Sequence, residues 1–262
     1  SGDKSLSIRW ILFSSLSSGV SRAKNLLMSE DVMSAIQAVK KLGIKVFFKK
    51  NLCYIHGNGI NGYKIKKRTI INARNSGTLG RLILGLLINT TEPIKLIGDK
   101  SLSKRDFKRI TDPLTKFGAT FKLKKNSLPL KMLGLNNPKP ITYTENKGSA
   151  QCKSAIIFAG MKTKGKTYIK AKKSRNHTEL LCKYLNLPIK IKSKKNYDLI
   201  EISEVKSIRS LNYKIPSDIS SSAFFIVLTA LSRNSKLKIK NININPTRFG
   251  IVKILKLMGV KI

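Results

Sequence analysis

Residues 31–48 read Asp-Val-Met-Ser-Ala-Ile-Gln-Ala-Val-Lys-Lys-Leu-Gly-Ile-Lys-Val-Phe-Phe. Val32, Ala35, Ile36, Val39 and Leu42 fall at 3–4 spacing, which lays one apolar stripe along a helix. Gly43 is the expected stop, a C′ residue in the left-handed conformation, and the β-rich run from Ile44 follows it. The same helix, stop and strand recur as Arg105–Gly118 into 119–123, His177–Asn186 into 189–191, and Phe249–Gly259 into 260–262. The stops at 43, 118, 186 and 259 lie 75, 68 and 73 residues apart. Lys166-Thr167-Tyr168-Ile169-Lys170 and Lys236-Leu237-Lys238-Ile239-Lys240 put apolar groups on one side and charge on the other, as half-buried strands do. The pattern predicts an α/β (α+β) fold built from a repeated unit, with helices covering one face of small mixed sheets.

Composition bounds the function. The chain has 262 residues, 41% hydrophobic, enough to bury a substantial core. Its longest apolar runs, 82–88 and 223–231, fall well short of the ~20 residues a membrane helix needs, so no membrane partner is expected. Cys53, Cys152 and Cys182 show neither metal nor redox spacing, which argues for a reducing, cytoplasmic setting, no bound metal and no cofactor. The formal net charge is +39. That excess comes from 41 Lys against 11 Arg spread along the whole chain, with no basic tail, zinc-finger spacing or helix-turn-helix pattern. A solvated lysine-rich surface explains it better than specific nucleic-acid binding.

Two stretches concentrate chemistry. Gly2-Asp3-Lys4-Ser5-Leu6-Ser7-Ile8-Arg9 recurs as Gly98-Asp99-Lys100-Ser101-Leu102-Ser103-Lys104-Arg105. Each copy combines a Gly-Asp turn, small hydroxyl residues, a Lys, and an Arg one to two helical turns later. Backbone N–H groups, a Lys and an Arg converging on one spot make an anion site. Two such loops point to a ligand, or a pair of ligands, bearing several negative charges.

Further motifs stand in a recognisable order: Asn75-Ser76-Gly77-Thr78-Leu79-Gly80-Arg81, Gly148-Ser149-Ala150-Gln151-Cys152-Lys153-Ser154-Ala155, and Ser174-Arg175-Asn176-His177-Thr178-Glu179. Pro216-Ser217-Asp218-Ile219-Ser220-Ser221-Ser222-Ala223 and Asn245-Pro246-Thr247-Arg248-Phe249-Gly250 complete the set. With the twin loops, these motifs cover essentially the whole chain, which resembles the 5-enolpyruvylshikimate-3-phosphate synthase family.

The resemblance implies transfer of the enolpyruvyl group of phosphoenolpyruvate to the 5-hydroxyl of shikimate 3-phosphate, with release of phosphate. It implies small-molecule anions as partners, a monomer at full length, and a lobe of three βαβαββ repeats about a pseudo-threefold axis. Residues 4–216 would form that shikimate-3-phosphate-binding lobe; 1–3 and 217–262 would belong to an incomplete second one. By the same resemblance, Lys4 faces both substrates and is the catalytic candidate. Ser5, Arg9, Ser149, Gln151 and Arg175 join it on shikimate 3-phosphate, and Gly77, Arg105 and Gln151 join it on phosphoenolpyruvate. Asp218 is a secondary candidate.

Each residue also has a plainer reading. Lys4 could be one more solvated lysine, and Arg105 could pair with Asp106 or Asp99 on the surface. Arg175 could be structural, and His177 could cap the helix it opens. His56 is expected in a turn-forming loop, and an acidic N-cap is sufficient reason for Asp218. Asp106 and Asn176 depart from the proline and aspartate usual in the family. The resemblance also implies acid–base residues and further clamps downstream of Ile262, so the 262-residue polypeptide is expected to bind shikimate 3-phosphate weakly without appreciable turnover. Two rivals stand beside this reading. UDP-N-acetylglucosamine enolpyruvyl transferase would show Lys-Asn at the first loop, where Lys4-Ser5 stands. The other rival is a non-catalytic basic nucleic-acid-binding protein.

Overall fold

A computed structural model describes residues 1–262. Three four-stranded sheets share one topology. The second unit shows it whole: β4 (Thr69–Asn72), α3 (Gly77–Leu86), β5 (Ile94–Ile97), α4 (Lys108–Lys116), β6 (Thr120–Lys124) and β7 (Ser127–Leu133). The third repeats it with β8 (Thr142–Glu145), α5 (Ala150–Met161), β9 (Lys166–Lys172), α6 (His177–Tyr184), β10 (Ile189–Ser193) and β11 (Tyr197–Ser203). The first comprises α1 (Lys4–Ser15), β1 (Ser18–Lys24), α2 (Glu30–Lys41), β2 (Lys45–Lys49) and β3 (Leu52–Asn58). Its outer strand is β12 (Tyr213–Lys214), drawn from beyond the third unit. In every sheet the outer strand pairs parallel with the next, and the remaining pairings are antiparallel. The ring closes where Gly2 bridges Ser217 and the Asp3 N–H donates to the Pro216 carbonyl at 2.7 Å.

The helices divide into two kinds. The outer helices α2 and α4 are amphipathic, and α6 ends in the same way. Gly43, Gly118, Asn186 and Gly259 all take positive φ, of 86°, 106°, 56° and 88°. Those are the four stops read from the sequence. The inner helices α1 and α5 are buried on every side, so they carry no stripe. Gly85 of α3 lets α5 approach: a Cβ there would lie 2.1 Å from the Ala155 carbonyl oxygen. A shared tripeptide marks the hairpins: Lys49-Lys50-Asn51, Lys124-Lys125-Asn126 and Lys194-Lys195-Asn196. In the first two, the Lys-Asn pair takes φ between 47° and 60°, the two-residue turn whose twist suits a hairpin.

Beyond the ring, α7 (Ile219–Leu231) and α8 (Gly250–Leu257) follow. Residues 236–240 form no strand, contrary to their alternation, and 260–262 add none after α8. Neither segment has a neighbouring strand to complete a ladder. The helix expected from Arg105 begins at Lys108, because a three-residue 3-10 turn (Leu102–Lys104) and extended Arg105 precede it. His56 lies within β3, paired with Val20 and Lys45 and packed on Phe47, rather than in a loop. The three cysteines are buried, and burial pushes the Cys53 and Cys152 thiols up to about 12. No helix is long and apolar enough to cross a membrane.

Candidate active site

The inner helices open on three capped N-termini: Asp3, Ser76 and Ser149 accept from the backbone N–H groups of Leu6, Leu79 and Cys152. Each start leaves free N–H groups and a partial positive charge. A cleft of about 630 Å³ is lined by Ser149, Gln151, Ser174 and Arg175 from the third unit. Arg109 lines it from the second, and Ser220, Thr247 and Arg248 from the segment beyond the ring. A roomier opening of about 900 Å³ between α7 and α8 is mainly apolar and suits no polyanion.

Deeper still lies Arg9. Its Nε donates to Thr178 Oγ1 at 2.7 Å, Nη1 to Ser5 Oγ at 2.7 Å, and Nη2 to Ser154 Oγ at 3.0 Å. Beside it Lys153 Nζ and Glu179 Oε1 meet at 2.6 Å, both buried. Residues of the Gly148–Ala155 and Ser174–Glu179 motifs therefore interlock around the guanidinium of the first loop. His177 extends the connection. Asn245 N–H donates to Asn243 Oδ1, which turns Asn243 Nδ2 toward Asp3 Oδ2 at 3.0 Å and His177 Nε2 at 3.4 Å. Nε2 then accepts, and the proton sits on Nδ1, 3.0 Å from Ser5 Oγ. Ser5 Oγ thus accepts from Arg9 and from His177, and its own O–H is free to donate to a ligand.

The second loop approaches from the other side. Gln151 Nε2 donates to Thr78 Oγ1 at 3.1 Å, and Gln151 Oε1 accepts from Arg81 Nη1 at 2.8 Å. A Cβ on Gly77 would stand 2.9 Å from Arg81 Nη1 and 3.1 Å from Arg105 Nη1. A methyl there would displace both guanidiniums. Arg105 is exposed and forms no ion pair with Asp99 or Asp106; its Nη2 donates at 3.4 Å to Asn75 Oδ1 and Ser101 Oγ.

Like charge is crowded here. Burial, opposed by Glu179 and reinforced by Arg175, lowers Arg9 to about 10. Burial with Arg109 and Arg105 lowers Arg81 to about 10, and burial with Arg248 lowers Arg175. All remain protonated at neutral pH, and an anion among them would relieve the repulsion. Burial, then Arg9, Arg248 and Arg175, hold His177 down at about 3, so it is neutral.

Ser149, Gln151 and Arg175 thus share one cleft; Ser5 and Arg9 are tied to the same motifs through His177, Thr178 and Ser154, and Gly77 and Arg105 stand beside Arg81, the partner of Gln151. Lys4 does not join them. Its backbone N–H donates to Asp218 Oδ2 at 3.2 Å, but its half-exposed ammonium is turned to Asp31, 3.2 Å away. Asp218 caps α7 through the Ser220 N–H and pairs with Arg248 at 2.9 Å. Arg248 also pairs with Asp3 at 2.9 Å and bonds to Ser220 Oγ. Arg81, Ser154, Thr178 and Arg248 escaped the sequence reading of the site. All four sit inside motifs quoted above, and that was the available signal.

A family model described as EPSP synthase (3-phosphoshikimate 1-carboxyvinyltransferase) matches residues 1–262. The chain is 43% identical over 263 residues to a 3-phosphoshikimate 1-carboxyvinyltransferase of Caldicellulosiruptor bescii, covering 99% of this chain and 60% of that protein. The Streptococcus mutans protein of the same name is 39% identical over 264 residues, covering all of this chain and 61% of its own length. EPSP synthase from Acinetobacter baumannii superposes with a TM-score of 0.88 at 34% identity, over 98% of this chain and 58% of that one. The chain spans about three-fifths of the length of the curated relatives it matches. A family match along its entire length, with these motifs gathered on this fold, places the chain in the EPSP synthase family.

Proposed function

We propose that the chain carries the shikimate-3-phosphate-binding part of an enzyme that transfers enolpyruvyl from phosphoenolpyruvate to the 5-hydroxyl of shikimate 3-phosphate. Residues 4–216 are the binding lobe, and 1–3 with 217–262 begin the second. The cluster of cations, hydroxyls and helix N-termini around one cleft carries this reading. Both substrates bear phosphate and carboxylate, and the reaction is governed by positioning and by charge held in a closed site. Ser5, Arg9, Ser149, Gln151 and Arg175 hold shikimate 3-phosphate. Arg105 clamps phosphoenolpyruvate over Gly77, with Gln151 between the two ligands.

In the reaction the 5-hydroxyl gives up its proton as its oxygen adds to the substituted carbon of phosphoenolpyruvate, while a proton reaches the methylene carbon. Phosphate then leaves, and a proton lost from that carbon restores the double bond. Lys4 is the proposed catalytic group, and the role requires its ammonium to leave Asp31 when substrates bind. The setting is cytoplasmic and the full-length form a monomer; no cofactor, metal or specific nucleic acid is involved.

Thermal shift at fixed ionic strength tests the reading. Shikimate 3-phosphate at 100 times its Kd should stabilise the chain by about 2.7 kcal/mol. Stabilisation by a UDP-sugar instead, or only by salt-sensitive polyanions, would overturn it.

A further inference from the structure

The inner helices point their N-termini at the cleft, and α3 and α5 end at a second cavity. It measures about 240 Å³ and is walled by Ile65, Leu86 and Leu87, with Tyr63, Asn89 and Lys162 around its polar end. Lys162 is the residue on which α5 ends. Twelve helical residues separate the two ends of α5, a distance of about 18 Å.

Lys162 is not an ordinary surface lysine. Its ammonium lies 5.3 Å above the Tyr63 ring and makes one hydrogen bond, to Asn89 Oδ1 at 3.1 Å. Asn89 Nδ2 is taken by Asn61 Oδ1 at 2.9 Å, so the asparagine is fixed with its oxygen toward the lysine. The Tyr63 hydroxyl is occupied by Ser15 Oγ at 2.7 Å, and burial keeps that phenol neutral. Glu92 lines the cavity without forming an ion pair to Lys162. The amine therefore has donors to spare and no ion-pair partner, in a cavity whose lining is mostly polar and whose apolar part is Ile65, Leu86 and Leu87. Burial alone lowers it, to about 8. A half-buried cation without an ion-pair partner is held at some cost, and an anion that entered with a short apolar tail would reduce it.

We propose that this cavity binds a small monocarboxylate with a short aliphatic tail: the carboxylate on Lys162, the tail against Ile65, Leu86 and Leu87. The site lies at the opposite end of the helices from the cleft and does not depend on the reaction proposed above. Its volume falls below that of drug-sized pockets, which limits the occupant to a few carbons. The carboxylate could come from a fatty acid or from an amino acid, whose α-ammonium would face Glu92.

The test uses the chain with 13C at the lysine ε-carbons, read by NMR with Lys162 assigned through Lys162→Met. Pentanoate and norvaline are the two probes, with chloride at equal ionic strength as control. Without ligand the Lys162 signal should titrate near pH 8. Saturating probe should raise that midpoint by one pH unit or more. Because the charged amine is the binding form, affinity should be on the order of tenfold weaker at pH 9 than at pH 7. Norvaline binding more tightly than pentanoate would assign the amino-acid class, and the reverse the fatty-acid class; either supports the site. A Lys162 midpoint unmoved by both probes, or moved equally by chloride, would overturn it; the signal is also singled out by titrating well below the ordinary lysines, so neither result requires the variant to fold.

Discussion

The twin loops Gly2–Arg9 and Gly98–Arg105 share seven of eight residues and begin alike. In each, the Asp side chain accepts from the Leu N–H three residues on, at 2.9 and 2.7 Å. In each, the second Ser donates its N–H to the Asp carbonyl, at 2.8 and 2.9 Å. Then they part. After the first, Ile8, Trp10, Ile11, Leu12 and Phe13 are all buried, and the helix runs twelve residues. After the second stand Lys104 and Asp106, both exposed; the turn lasts three residues before Phe107 enters the core. The octapeptide writes the cap, and the residues around its end decide whether burial can sustain a helix. The consequence for function lies in the two arginines. Arg9 is locked by three side-chain hydroxyls, whereas Arg105 is exposed on two long contacts.

The sharpest way to break the comparison is to truncate each arginine. Arg9→Ala removes a buried cation beside Glu179, leaves Thr178 and Ser154 without their donor, and opens a void. It should cost about 3–5 kcal/mol in urea unfolding and abolish shikimate 3-phosphate binding. Arg105→Ala should stay within about 0.5 kcal/mol of the parent while weakening phosphoenolpyruvate. Equal stability losses at the two positions would refute the distinction between a locked and a free clamp.

A smaller contrast separates the two aspartates. Asn caps a helix about as well as Asp, so Asp99→Asn should change stability by less than about 0.5 kcal/mol. Asp3 is fully buried and also takes Arg248 Nη1 at 2.9 Å and Asn243 Nδ2 at 3.0 Å. Asp3→Asn, measured the same way, should cost about 2–4 kcal/mol, because Arg248 keeps only Asp218 as a counter-charge. It should also loosen 217–262 from the ring, seen as faster amide exchange at Ser217 and Asn243.

How legible all this was depended on the range of the interaction. The outer helices follow from the apolar period, and their stops from Gly or Asn. The inner helices α1 and α5 could not be found by period, since burial on all sides erases it. The anion character of the twin loops was readable from residue type. Their partners were not: Arg9 meets Thr178 across 169 positions, and Arg248 meets Asp3 across 245. Lys236–Lys240 misled because alternation reports a half-buried environment, and a strand also needs a neighbour. Lys4 reaches Asp218 only through its backbone N–H, and nothing local announced Asp31 as the partner of its ammonium.

The finest distinction concerns Ser5 and Ser101, the hydroxyls within the twin loops. Ser5 has His177 behind it; Ser101 has no histidine. His177 is held at about 3, below its ordinary 6.5, so the folded chain keeps it neutral where the unfolded chain would protonate it. Between those values the unfolded state binds more protons, and stability must rise with pH. The contribution is complete above pH 6.5 and is lost as pH falls toward 3, with a slope of at most about 1.4 kcal/mol per pH unit. His177→Gln, which keeps a polar bridge between Ser5 and Asn243 but cannot titrate, should flatten unfolding free energy between pH 4 and 6.5. It should leave the region above pH 7 displaced by a constant. Should the variant keep the parent's slope, the acid sensitivity would belong to the carboxylates around Arg248, and Ser5 would owe its orientation to Arg9 alone.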